Sequence, residues 1–478
     1  MPDGRILVGE SWQDSLEGGT LDVVSPSDGL TIGCIQASGG RDIDAAVNAA
    51  RTAFESGPWS RMTAADRGRL LLAAAGLISD ESEELAALEA LDTGKPSTQA
   101  RNDIAATVRY FEYYGGAADK VHGETIPFLR THHVQTMREP LGVTAHITPW
   151  NYPAQMFGRT LAPALAMGNS VVLKPAEEAC MTPLRLAQIL QRAGFPPGSL
   201  NVVTGAGETA GAALARHPGI DFISFTGSPE TGAEVQAAAA GNHVGCTLEL
   251  GGKSPQIIFG DSDLDEALPI VVNAIVQNAG QTCSAGSRIL VEHSIFDRVI
   301  GMLAQRFEKL VAAPHFEDRD LGPLISNRQL SRVKGFLEAE GVPDPIAAGS
   351  VSDTAPPSGH YIAPLLYGPV SPDLPIAREE VFGPVLCCIP FRSEEEAIKI
   401  ANGTDYGLVA AIWTRDGDRQ ARLAKALRCG QVFINCFGAG GGIELPFGGL
   451  RRSGHGREKG FEALREFSQV KTVVHKHG

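Results

Sequence analysis

Between residues 143 and 250, short apolar runs alternate with stretches of helical periodicity, and no other feature narrows the fold as far. The runs are Val143–Ile147, Val171–Lys174, Leu200–Val203, Phe222–Phe225 and Val244–Leu250; helical spacing falls at about 154–167, 181–193, 208–216 and 229–239. Alternation at this interval implies right-handed crossovers and a doubly wound parallel sheet. Such sheets bind ligands beyond the carboxyl ends of their strands, so the residues that follow each run are the candidates for chemistry. A second α/β unit begins near residue 254. There Pro255–Phe259 reads as a strand, about 263–278 as a helix, Ile289–Glu292 as a strand, and 394–428 as largely helical around a strand at Val409–Trp413.

The remaining segments read as cover and excursions. A hairpin starts at Ile6-Leu7-Val8-Gly9, and 41–56, 64–92 and 98–118 have helical spacing. Residues 120–140 form a polar, strand-like excursion from the main body, and the tail ends in a strand-like Val470–Val474. A chain of 478 residues exceeds one hydrophobic core, so two or three domains are expected. The formal net charge of −14 argues against nucleic acid or a membrane surface as partner. No apolar run reaches the ~18–20 residues of a membrane span. Met1–Arg5 opens no secretory signal, and eight cysteines without a CxxC pair read as reduced thiols, so a cytoplasmic location is expected. The 12 histidines show no metal-ligand spacing, and no metal is expected.

Each strand end carries a motif with a chemical and a plainer reading. Cys283, in Gly280-Gln281-Thr282-Cys283-Ser284-Ala285-Gly286, is a thiol among small residues. That is how a chain presents a nucleophile, although free cysteines are more often buried and structural. Glu249, between Leu248 and Leu250-Gly251-Gly252, is an acid whose burial would raise its pKa toward that of a general base. Asn151, in Trp150-Asn151-Tyr152-Pro153, is either an amide donor to an oxyanion or a helix N-cap. Lys174 and Glu177 could grip the two hydroxyls of a ribose, the carboxylate then disfavouring a 2′-phosphate, or could form a surface ion pair. Gly205–Gly211 and Phe225-Thr226-Gly227-Ser228 both open helices. At the second, Ser228 can cap the helix and bind a pyrophosphate at once.

In this order, Trp150-Asn151, Lys174-Pro175-Ala176-Glu177, Phe225-Thr226-Gly227-Ser228, Glu249–Lys253, Gly280–Cys283, Glu380-Val381-Phe382-Gly383-Pro384 and Pro446–Gly449 resemble the NAD(P)-dependent aldehyde dehydrogenase superfamily. The resemblance runs from about residue 5 to the end. It implies that Cys283 is the nucleophile, that Glu249 activates the deacylating water, and that Asn151 and the backbone N–H of Cys283 form the oxyanion hole. It implies a cofactor site of Ile147, Thr148, Pro149, Trp150, Lys174, Glu177, Gly207, Gly211, Phe225, Thr226, Gly227, Ser228, Thr231, Leu250, Gly251, Glu380 and Phe382, with NAD preferred over NADP. It also implies an NAD-binding domain (1–117 and 141–251), a catalytic domain (252–452) and a small β oligomerisation element (118–140 and 453–478). A homodimer or homotetramer and a small aldehyde substrate follow from the same likeness. Because relatives that pass the acyl group to coenzyme A generally lack a glutamate at this position, Glu249 implies a free acid as product.

The departures from the family pattern concern specificity. Eight residues after Asn151 many members carry tryptophan then lysine; this chain has Arg159-Thr160. The lysine belongs to a proton relay in which Glu458 would take part, so Glu458 is either a second acid/base or an ordinary exposed glutamate. Arg159 resembles the arginine that holds the distal carboxylate in succinic semialdehyde dehydrogenases, and also that of the vanillin and benzaldehyde branch; the plainer alternative is pairing with a local acid. Six residues before the cysteine, where the semialdehyde enzymes add a second arginine, stands Gln277, and the glycine run 438–442 removes bulk. An aromatic or bulky aldehyde is therefore expected, with a carboxylated aldehyde as the alternative, in a pocket that includes Arg159, Tyr152, Gln277, Thr282, Ser284 and Phe447. A cysteine hydrolase would need a histidine beside Cys283, and no motif supplies one.

Overall fold

The computed structural model describes residues 2–438 and 442–477. Residues 439–441, part of the glycine run expected to widen the pocket, lie outside them.

The five apolar runs form the centre of an eight-stranded sheet. Its parallel strands lie in the order Leu200–Val202, Ser170–Pro175, Val143–Thr148, Phe222–Thr226, Gly245–Glu249. The chain winds outward from Val143–Thr148 in both directions, so a crevice opens at the carboxyl end of that strand, the place where such sheets take ligands. Helices bury apolar faces against both sides; Gly40–Glu55, for example, buries Ile43, Ala46, Val47 and Ala50. A hairpin, Ile6–Val8 with Ser11–Gln13, extends one edge, and Gly454–His455 pairs antiparallel with Leu248–Glu249 at the other.

A seven-stranded, mostly parallel second sheet includes Pro255–Ile258, Arg288–Glu292, Val385–Phe391, Val409–Trp413 and Gln431–Ile434. Its strands Val385–Phe391 and Val409–Trp413 are apolar and almost wholly buried, as parallel sheets covered on both faces require. Cys387 and Cys388 lie in this core.

The excursion at 120–140 and the tail meet in a separate ribbon. His132–Pro140 pairs with Ser468–Lys476 along nine residues and with Thr125–Ile126 on its other side. Ile126, Phe128, Leu129, Val470 and Val474 stand exposed on or beside it. Residues 454–455 belong to the first sheet, so the stretch before Ser468 packs with the main body.

Two helical stretches depart from the plain α-helix that their spacing predicts. Residues 153–167 contain a π-helical turn at Phe157–Leu161, and another turn at Gly207–Gly211 opens the helix after Leu200–Val202. Such turns re-aim side chains and concentrate at functional sites; the first carries Arg159. Among the described residues no helix is long and apolar enough to cross a membrane. Among the same residues no group of three His, Cys, Asp or Glu could hold a metal.

Candidate active site

Cys283 sits on a loop whose approach is a left-handed turn. Asn278, Ala279 and Gly280 all have positive φ, of 49°, 54° and 73°. Only Gly280 has a local reason in the sequence: a Cβ there would lie 2.1 Å from the carbonyl oxygen of Gly383. The contact draws the Glu380–Pro384 turn against the cysteine loop. A Cβ on Gly252 would lie 2.3 Å from the Cys283 carbonyl oxygen, so the glycine pair after Glu249 lets the end of that strand reach the same loop. Three segments far apart in sequence thus converge on one thiol.

Asn151 is tied to this loop rather than to its own helix. Its Nδ2 donates to the Gln281 carbonyl at 2.9 Å, and its own carbonyl accepts from Asn278 Nδ2 at 2.9 Å and from Lys95 Nζ at 3.1 Å. The following helix starts at Pro153 with no side-chain cap, so the N-cap alternative for Asn151 does not hold. Lys95 is fully buried, bridges Asp103 and Glu89 (3.3 Å to the latter), and lies over the Tyr152 ring at 4.6 Å. Removing one partner of such a buried cluster strands the others. The sequence reading missed Lys95, Asn278 and Gln281; a lysine beside a glycine and a proline at 94–96 gives no local sign of burial.

Two carboxylates, a thiol and two cations set the electrostatics of the site. Glu249 is 2% exposed, and burial pushes its pKa up to about 8 against the pull of Arg159. Burial likewise lifts Cys283, which is partly exposed, to about 12, again opposed by Arg159. Glu458 is 1% exposed, which overturns the exposed-glutamate alternative. Arg159 explains its burial: the guanidinium lies 2.5 Å from Glu458 and 3.3 Å from Glu249, and stacks at 4.5 Å over the Phe447 ring. Its partners are not local acids but come from two other segments. Lys459, buried beside the same ring, was also missed; burial and then Arg159 hold its pKa down near 7.

The remaining pocket candidates form two groups. Gln277 Nε2 donates to the Tyr152 hydroxyl at 2.8 Å, which in turn meets Thr282 Oγ1 at 2.7 Å. Ser284 follows the thiol and is partly exposed. Opposite, Phe447 clusters with Leu408 and Val409, with Cys283, Phe433 and Phe437 packed against them.

The cofactor candidates line the crevice at the strand ends. Lys174 is 3% exposed, so its 2.7 Å contact with Glu177 is not a surface ion pair. Glu177 also accepts the Gly207 N–H at 3.1 Å, and Lys174, next among its influences after burial, draws its carboxyl below the ordinary range. Gly211 lies beyond Gly207 in the same turn, its Cα facing the Lys174 stem. Ser228 caps the helix Pro229–Gly241 by accepting from the Thr231 N–H at 3.2 Å. The buried Thr226 hydroxyl, at the end of Phe222–Thr226, has no hydrogen-bond partner among the described residues. Ile147 and Thr148 end the central strand, with Pro149 and Trp150 next; Phe225 packs under Gly227. Glu380 accepts the Gly252 N–H at 2.9 Å beside Leu250-Gly251, and Trp150 meets Phe382 edge-to-face at 5.4 Å. Gln329 and Arg332 hold the carbonyls of Phe382 and Glu380. A helix N-terminus, an orphaned hydroxyl and a lysine–carboxylate pair along one crevice fit a dinucleotide.

Comparisons with known proteins agree with this arrangement. A family model described as the aldehyde dehydrogenase family matches residues 12–473. Human retinal dehydrogenase 2 is 42% identical over 98% of this chain and 91% of its own length. The mitochondrial benzaldehyde dehydrogenase of Antirrhinum majus is 41% identical over 98% and 88%. A crystal structure from Burkholderia cenocepacia, given provisionally as an aldehyde dehydrogenase, is 56% identical with a TM-score of 0.98, covering 99% of this chain and 100% of that one. The NAD+ complex of Bacillus cereus aldehyde dehydrogenase is 39% identical with a TM-score of 0.96, covering 99% and 97%.

Proposed function

This chain belongs to the aldehyde dehydrogenase family, and from that premise we infer that it oxidises an aromatic or other bulky aldehyde to the free carboxylic acid, with NAD as the preferred acceptor. The observation that carries this reading is the convergence of Cys283, Asn151 and Glu249 at one crevice, with Glu249 buried beside the thiol loop.

The chemistry follows from the groups present. Cys283, as the thiolate, adds to the aldehyde carbon. Its proton has a nearby acceptor in Glu249, and Arg159 favours the charged sulfur. The oxygen that becomes negative is held by the Asn151 amide and the backbone N–H of Cys283, each such donor contributing about 3 kcal/mol. NAD, when bound, supplies the acceptor for the two electrons and the hydrogen that leave the adduct. Glu249 then takes a proton from the water that opens the thioester, releasing the acid and the thiol. Lys174 and Glu177 would hold the adenosine ribose, Ser228 and Thr226 the pyrophosphate, and Glu380 the nicotinamide ribose beside Phe382.

Substrate class rests on what surrounds the thiol. The cluster of Phe447, Phe433, Phe437 and Leu408 suits an apolar, ring-sized side chain. Arg159 is already engaged by two carboxylates, and Gln277 by Tyr152, which weakens the case for a second carboxylate on the substrate. NADH formation with benzaldehyde, hexanal and succinic semialdehyde tests this: kcat/KM is expected to be highest for benzaldehyde. A clear lead for succinic semialdehyde would reverse the assignment.

The first sheet with its helices serves in this reading as the NAD-binding unit, the second as the catalytic unit, and the ribbon with its exposed apolar residues as the contact between copies in a dimer or tetramer. Glu177→Ser is expected to improve the ratio of NADP to NAD use on the order of 10–100-fold, because a carboxylate at the ribose repels a 2′-phosphate. An unchanged ratio of kcat/KM for the two cofactors would remove Glu177 from that role.

A further inference from the structure

The two acids that Arg159 touches are held very differently. Glu458 is fixed from several sides. Its backbone N–H donates to the Phe447 carbonyl at 2.8 Å and its carbonyl accepts the Phe447 N–H at 2.6 Å. Its Oε1 accepts from Ser224 at 3.2 Å and its Oε2 lies 2.5 Å from Arg159 Nε. Among the described residues Glu249 has neither oxygen in a directed hydrogen bond, and it faces Arg159 Nη2 at 3.3 Å. The Glu458 carboxylate thus has a directed hydrogen bond from Ser224 besides its close guanidinium contact, whereas that of Glu249 has none among the described residues. A group that must reach a water needs the second kind of environment; a group that anchors a cation needs the first.

Arg159 reaches both through its place in the fold. The π-helical turn Phe157–Leu161 carries it into the site, and Phe447 covers one face of its guanidinium. Thr160, the next residue, contributes no charge, since it is buried and its hydroxyl donates back to the Met156 carbonyl at 3.0 Å. A guanidinium keeps its proton at every accessible pH. It can fix charge on its neighbours but cannot pass a proton between them.

We propose that Arg159 is a positioning residue, a fixed cation shared by Glu249 and Glu458, which keeps Glu249 available as the base and uses Glu458 only as its anchor. Glu458 takes no proton during turnover, and Arg159 does not bind the substrate. The inference rests on the function argued above. The other titratable groups facing this cluster are Arg457 and Lys459 from the segment after Gly454–His455, Tyr110 and Tyr114 from the helix Ser97–Ala117, Glu444, and Cys283 itself. Arg457 is engaged by the carbonyls of Gly449 and Gly456.

The test is the pH dependence of kcat and KM, with benzaldehyde and succinic semialdehyde, in wild type, Arg159→Met, Arg159→Lys and Glu458→Gln. An opposite charge a few ångströms away lowers a carboxyl pKa by about 1–3 units. In Arg159→Met the limb of kcat that rises as Glu249 ionises is therefore expected to move to higher pH by about that amount, equally for both aldehydes, with KM little changed. Arg159→Lys should recover most of the shift. Glu458→Gln removes a like charge beside Glu249 and leaves Arg159 to it alone, so the same limb should move to lower pH. A rise in KM confined to succinic semialdehyde would make Arg159 a substrate clamp. A loss of kcat at every pH in Glu458→Gln, with the limb fixed, would make Glu458 a proton carrier. If wild type forms NADH from no aldehyde, the functional reading fails, and the shared cation is still tested by thermal unfolding: Glu458→Gln should restore part of the Tm lost in Arg159→Met, whereas additive losses would overturn the bridge.

Discussion

Cys283→Ala is expected to abolish NADH formation with every aldehyde, a loss of roughly 10,000-fold or more, as when the nucleophile of a concerted set is removed. The thiol lies on a loop drawn against two glycine-bearing turns, while the flanking Thr282 hydroxyl is engaged by Tyr152. The variant deletes one atom from a partly exposed side chain, so its Tm and its affinity for NAD should be close to those of wild type; both measurements separate lost chemistry from lost fold. The thiol also gives a direct readout. With burial lifting its pKa to about 12 and Arg159 opposing that rise, the free enzyme holds it mainly protonated at neutral pH. Its alkylation by iodoacetamide should accelerate steadily as pH rises. A rate independent of pH above neutrality would mean that the thiolate is already formed, and would shift the burden of activation away from Glu249.

The legible part of the molecule was the part whose signals are local. The five apolar runs between 143 and 250 appear as the five parallel strands, because strands covered on both faces are largely apolar. The motifs after them fall at the carboxyl ends, and the topology brings Asn151, Glu249 and Cys283 together as their order required. What escaped notice depends on partners far away in sequence. Arg457-Glu458-Lys459 has the composition of a solvated surface, yet Glu458 is buried because Arg159, some three hundred positions earlier, supplies a counter-charge. Arg159 points there because of a π-helical turn that the sequence of Phe157–Leu161 does not announce. Asn278 and Ala279 adopt left-handed conformations that neither residue type predicts; the turn persists because Asn278 bonds the carbonyls of Asn151 and Gln281. Lys95 likewise became visible only with Glu89 and Asp103 in place. The residues proposed as nucleophile, base and oxyanion donor were thus each singled out by local motifs, whereas the charged scaffold behind them is a property of the fold.

Glu249→Gln separates the two halves of the reaction. Glutamine keeps the shape of the side chain but accepts no proton from water. Adduct formation and oxidation need Cys283 and Asn151; hydrolysis of the thioester needs a base. The variant is therefore expected to release one equivalent of NADH per active site in a rapid burst and then turn over about 100–10,000-fold more slowly than wild type, the range for loss of a general base. Mass spectrometry of the quenched enzyme should show the acyl group on Cys283. The pH dependence in wild type follows from the environment of the acid. Burial raises the Glu249 pKa to about 8, with Arg159 pulling the other way. The base is competent only when deprotonated, so kcat should increase as pH rises through that region and level off above it, a limb absent from the slow residual turnover of the variant. If Glu249→Gln instead loses the burst along with the steady state, Glu249 is needed to take the proton from Cys283 before the adduct forms. The high pKa of the thiol makes that outcome informative, because the same carboxylate would then serve both steps, each time returning to its ionised form beside Arg159.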